Sequence, residues 1–164
     1  MKNKIHSIAI FLIIFFGTNA KSQSNSPSGV MPEYINAYIQ LKDALFSESP
    51  SKTKEAAIIM KDKISIANIE DAKRLKSITD LLSAIESSDN IKAQRKSFAL
   101  LSKKIQKLFD ESNIKGVKLY VDYCAMANNG SGGYWLSTDK SINNNPYMGA
   151  KMPHCGTIDE TISK

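Results

Sequence analysis

Residues 91–111 read IKAQRKSFALLSKKIQKLFDE, and this stretch decides the fold class. Ile91, Phe98, Leu101, Ile105 and Leu108 recur at the spacing of one helix face, while Lys96, Lys103, Lys104 and Lys107 fall mostly on the other. Ser87 to Asn90 makes a break before it, and Gly116 ends the helical region.

The same period extends toward the N-terminus. Ala72, Leu75, Leu82 and Ile85 supply a second stripe, with Asn68 read as its cap and Glu70 and Asp71 placed in its first turn, where negative charge meets the positive helix end. Ala56, Met60, Ile64 and Ala67 supply a third, opened by Pro50, whose missing N–H costs nothing at the first helical position. Tyr34, Tyr38, Leu41 and Leu45 form a fourth. Four helices with short connections pack most simply as an antiparallel bundle over residues 31–113. A three-helix arrangement with a merged or kinked middle pair is the alternative, because the break near Asn68 contains neither Gly nor Pro. The charges over this span, 14 basic and 12 acidic, interleave as a solvated face and offer no catalytic pair of carboxylates.

With 164 residues and 42% hydrophobic content, the chain has enough apolar material for one domain. Lys+Arg number 22 and Asp+Glu 16. The formal charge of +6 falls to +4 if Lys2 and Lys4 are removed with a leader, and no basic block stands out, so a nucleic-acid partner is not expected. No phosphate-cradling glycine loop and no Ser/His/Asp set are present, and His154 is the one histidine beyond the leader. No enzymatic activity is expected.

Residues 1–20 read as a secretory signal peptide: Lys2 and Lys4, an apolar run from Ile8 to Phe16, then Gly17, Thr18 and Ala20. The run is short for a membrane span, so no stable span is expected after cleavage. Residues 21–30 read as a Ser/Pro/Gly linker. The expected location is periplasmic or secreted.

After Asn113 the composition changes. Both cysteines, the only tryptophan, His154, three methionines and six of the eight glycines fall in residues 114–164. Val117 to Tyr123 reads as a strand, Asn128 to Gly133 as a turn and Tyr134 to Leu136 as a returning strand, giving a small hairpin packed on the helices. Pro146, Gly149 and Pro153 break the remainder into loop. Asn129-Gly130-Ser131 matches a glycosylation acceptor but reads more simply as that turn. Trp135 and the tyrosines Tyr120, Tyr123, Tyr134 and Tyr147 read as the seal of a small core, with a ligand platform as the alternative.

The tail concentrates soft ligands without the carboxylate cluster that hard cations need. Cys124 and Met126 lie two residues apart on one side of an extended segment, and Met152, His154 and Cys155 form a second cluster, so the expected metal is Cu(I) or Ag(I). Zinc would accept Cys124, Cys155 and His154 but has little use for methionine and ranks lower. The competing reading is a plain Cys124–Cys155 disulfide closing the tail of an exported protein, which composition alone favours. A thiol oxidoreductase fits poorly, because the cysteines are not in a Cys-x-x-Cys arrangement and no basic residue adjoins Cys124.

The segments Tyr123-Cys124-Ala125-Met126-Ala127-Asn128-Asn129, Gly133-Tyr134-Trp135-Leu136-Ser137, Asn145-Pro146-Tyr147-Met148-Gly149 and Met152 with Cys155-Gly156, together with Arg95, Phe98 and Ser102, resemble an exported bacterial domain-of-unknown-function family. That family also occurs as an appendage on periplasmic adaptor subunits of heavy-metal efflux pumps. The resemblance implies metal handling, with ligand roles for Cys124, Met126, Met152 and Cys155. Ala125 stands where the family carries proline, loosening the turn, and Met148 stands where an aromatic is common, adding a further soft ligand. His154 is a candidate on its chemistry alone. The expected function is an exported Cu(I) or Ag(I) carrier or sensor with an efflux adaptor or another envelope protein as partner; the alternative is an envelope interaction domain with a disulfide.

Overall fold

The computed structural model describes residues 29–164, so the signal-peptide reading and most of the linker reading lie outside the described residues. Four long helices come first: α1 (Glu33–Phe46), α2 (Pro50–Ser65), α3 (Ala72–Glu86) and α4 (Ile91–Asp110). A small antiparallel sheet follows, made of β1 (Lys118–Cys124), β2 (Gly133–Ser137) and β3 (Thr157–Ser163) in the order β2-β1-β3. No helix among the described residues is long and apolar enough to cross a membrane.

Three of the four helices, α2, α3 and α4, begin at a side chain that accepts from their free N–H groups, whereas α1 follows Pro32 with no side-chain cap. Ser49 caps α2 through Lys52 N–H with Pro50 at the first position, and Asn90 Oδ1 caps α4 by accepting from the N–H groups of Lys92 and Ala93. The cap of α3 is Asp71, which accepts from Arg74 N–H at 3.0 Å, and not the expected Asn68. Asn68 lies in the connection at φ +50°, a left-handed conformation that asparagine tolerates and that ends the preceding helix without Gly or Pro. The break is therefore real, and the merged-helix alternative is excluded.

Successive helices pack on one another, and α4 also touches α1, α2 and β2. Tyr38, Leu41, Leu45, Met60, Ile64, Leu82, Ile85, Phe98, Leu101 and Ile105, all expected on buried stripes, are fully buried. Ile78 and Phe109 join them, whereas Ala72 is exposed.

The tail differs from the expected hairpin and loop. β1 and β2 pair as foreseen, with Tyr123 opposite Tyr134 and Cys124 opposite Gly133, but β3 pairs on the other edge of β1. Its register slips between Val121 and Asp122, and of its seven residues only Ile162 is buried, so the alternation that marks a half-buried strand is missing. The left-handed Asn128 (φ +53°) and Asn129 (φ +60°) make the turn between β1 and β2.

A polar seam joins sheet to helices. The buried Tyr38 hydroxyl lies 2.7 Å from Ser102 Oγ and accepts from Leu136 N–H at 3.1 Å, tying α1, α4 and β2 together. Phe98 stacks on Tyr38 with centroids 5.2 Å apart, and its other neighbour is Tyr147, at 5.9 Å.

Candidate functional site

β1 ends in Cys124, almost wholly buried, and the chain returns through a short 3-10 turn at Gly149–Lys151 to the half-buried Cys155. The two Sγ atoms stand 2.7 Å apart although 31 residues separate the cysteines, and both are free thiols. The contact with Cys124, aided by partial burial, pushes the Cys155 thiol up to about 11, so it holds its proton at neutral pH.

Three devices outside the thiols fix this apposition. Asn145 is fully buried and ties both sides of the loop: its Nδ2 donates to the Cys155 carbonyl at 2.6 Å, and its Oδ1 accepts from the N–H groups of Tyr147 and Met148. Its own N–H donates to the Pro153 carbonyl. Next to Cys155, Gly156 adopts φ +143°, and a Cβ there would stand 2.7 Å from the Tyr123 carbonyl oxygen, so only glycine lets the second cysteine come this close to β1. Finally, Arg95 of α4 donates from Nε to the Pro146 carbonyl at 2.7 Å and from Nη2 to the Leu45 carbonyl and Glu48, each at 3.3 Å. Gly149 packs its Cα against that Glu48, where a Cβ would approach to 2.5 Å. The Arg95, Phe98 and Ser102 set thus serves the junction: one residue clamps the loop, one packs between Tyr38 and Tyr147, and one bonds Tyr38.

The other sequence-predicted ligands do not all converge on the sulfur pair. Met126 is 55% exposed and, with the half-buried Met148, lines a groove beside α4 that includes neither cysteine. Met152 is 38% exposed and caps the 3-10 turn. His154 is exposed, with Nδ1 2.9 Å from the Ile142 carbonyl oxygen. Among the described residues no group of three or more His, Cys, Asp and Glu side chains comes together, so a metal would draw on the two thiols and on thioethers. The aromatics pack as a core seal: Trp135 is fully buried edge-on to Tyr147, whose hydroxyl donates to the Tyr134 carbonyl.

Besides Asn145, a buried acid escaped the sequence reading. Asp122, two residues before Cys124 on β1, is fully buried with neither carboxylate oxygen in a well-formed hydrogen bond, and the indole N–H of its cross-strand neighbour Trp135, likewise without one, favours the charged carboxylate only weakly. Burial pushes its carboxyl up to about 7, against the pull of the buried Lys42 ammonium. Nothing in residues 118–124 marks it beforehand, since a charged residue in a strand ordinarily reads as solvent-facing.

The family described as Protein of unknown function (DUF3347) matches residues 34–116. That span takes in the four helices save Glu33 at the start of α1 and stops before β1, so both cysteines lie beyond it. No curated protein and no solved structure matches the chain. Because the match covers half of the sequence and includes the Arg95, Phe98 and Ser102 set, this chain belongs to the DUF3347 family.

Proposed function

We propose that the chain is an exported soft-metal handling protein that takes up Cu(I) or Ag(I) at the Cys124 and Cys155 thiols. The observation that carries this reading is the 2.7 Å approach of two free thiols held by Asn145, Gly156 and Arg95. Thiolate and thioether sulfur selects soft monovalent ions over hard ones, and the chain keeps two thioethers exposed, Met126 two residues after Cys124 and Met152 three before Cys155, although methionine is ordinarily buried. Met148 and His154 are secondary donors, and zinc ranks below copper and silver because, among the described residues, no third and fourth His, Asp or Glu ligand gathers beside the thiols. An ion bridging two thiolates holds them farther apart than 2.7 Å, so loading requires Cys155 on its loop to swing outward from Cys124.

The four helices serve in this reading as an antiparallel bundle, a rigid scaffold for the sulfur pair. The leader-like residues 1–20 deliver the protein to the periplasm or exterior, where an efflux-pump adaptor or another envelope protein receives the metal. A second reading has its own support in the separation of 2.7 Å, which needs only a small closure to reach a bond of about 2.05 Å; the chain is then an envelope interaction domain pinned by a disulfide. Intact-mass analysis of protein isolated anaerobically from copper-supplemented cells, before and after thiol alkylation, tests the choice. The metal reading requires two alkylatable thiols and a copper adduct; a mass two hydrogens lighter with no alkylation supports the disulfide.

A further inference from the structure

Helix α4 carries six Lys or Arg residues and a single acid, Asp110, in its twenty positions. Lys92 and Lys96, one turn apart near its start, are exposed and have no ion-pair partner among the described residues. They flank the groove that Met126 and Met148 line, a cleft of about 770 Å³ between α4 and the turn after β1. Its remaining walls include the exposed Leu100 and the buried Tyr147, and no Asp or Glu lines it.

From this arrangement we infer that the groove is a docking site for an acidic peptide segment of a partner protein, with carboxylates over Lys92 and Lys96 and an apolar side chain between Leu100 and Met126. Charge complementarity selects the occupant. A strip of unpaired cations along an apolar cleft attracts carboxylates on encounter and gives apolar side chains a place to leave water. The concave shape favours a peptide over an anionic lipid surface, which would engage a protruding face. The chain's own residues 21–28 offer Lys21 and no acid, so they do not complement it. The proposal reaches beyond the metal reading and draws on neither thiol.

A displayed library of random peptides selected against the immobilised protein tests it, followed by fluorescence anisotropy of the enriched peptides and a parallel arm with anionic phosphatidylglycerol vesicles. The expected result is enrichment of peptides that pair Asp or Glu with Met or Leu. Their affinity should fall about tenfold or more in Lys92→Glu/Lys96→Glu and drop steeply as salt is raised. Leu100→Ser, at an exposed position, should weaken the same peptides while leaving the melting temperature unchanged. The proposal is overturned if no peptide is enriched, if enriched peptides are neutral or basic or ignore both variants, or if vesicles bind in a Lys92- and Lys96-dependent way and peptides do not. Self-association that disappears in the double charge variant, without peptide binding, would likewise replace the peptide by a second copy of this chain.

Discussion

Asn145 donates from Nδ2 to the carbonyl oxygen of Cys155 at 2.6 Å, so the second thiol is held by a fully buried amide ten residues upstream. The amide also serves the Tyr147 and Met148 N–H groups, and its removal leaves three backbone groups without partners. Asn145→Ala should therefore destabilise the protein by roughly 2–3 kcal/mol, since each buried polar group left unpaired costs about 1–3 kcal/mol before relaxation. Urea unfolding of the reduced protein measures this, and hydrogen exchange should rise first at residues 145–156.

Tyr38 joins α1 to β2 through a hydroxyl that accepts from Leu136 N–H and pairs with Ser102. Tyr38→Phe keeps the ring stack on Phe98 and orphans the Leu136 N–H, at an expected cost of roughly 1–3 kcal/mol in urea unfolding. A loss confined to a few tenths of a kcal/mol would mean that water reaches this seam.

Asp122 fixes a pH dependence. Its carboxyl is raised from 3.8 to about 7 in the fold, so the neutral acid suits the native state, and the stability it contributes is full below pH 4 and lost as the pH rises through about 7. Asp122→Asn removes the buried charge. The variant should exceed the parent by roughly 1–3 kcal/mol at pH 8, with the gap closing toward pH 4, as read by calorimetry at both pH values.

Cys155 fixes a second, of opposite consequence for ligand. Its thiol holds a proton up to about pH 11, and a metal must displace that proton. Apparent Ag(I) affinity of the reduced protein should rise between pH 6 and pH 8, by about tenfold per pH unit for each proton released. A flat profile in a competition titration would place the metal away from Cys155.

The sequence made the helices legible because each buries a stripe: Tyr38, Met60, Leu82 and Phe98 announce their faces by spacing, and Pro50 marks a helix start. The α2–α3 break was legible in place but not in cause, because Asn68 works through a left-handed backbone while Asp71 does the capping. β3 was invisible for a physical reason: an exposed edge strand with one buried side chain, Ile162, carries no alternation to read. At the site, composition pointed to Cys124 and Cys155, whereas the distribution of Met126, Met148, Met152 and His154 around them depends on tertiary placement. Asp122 and Asn145 were hidden for the same reason, since burial of a polar residue in a strand or loop leaves no local signature.

The most direct test is an anaerobic Cu(I) competition titration of the reduced protein lacking residues 1–20 against a coloured chelator, beside Cys124→Ser/Cys155→Ser. The account predicts one Cu(I) per chain, bound tightly enough to strip the chelator, and loss of that binding in the double variant. Equal binding by the two proteins, or binding by neither, would contradict a metal site at the sulfur pair.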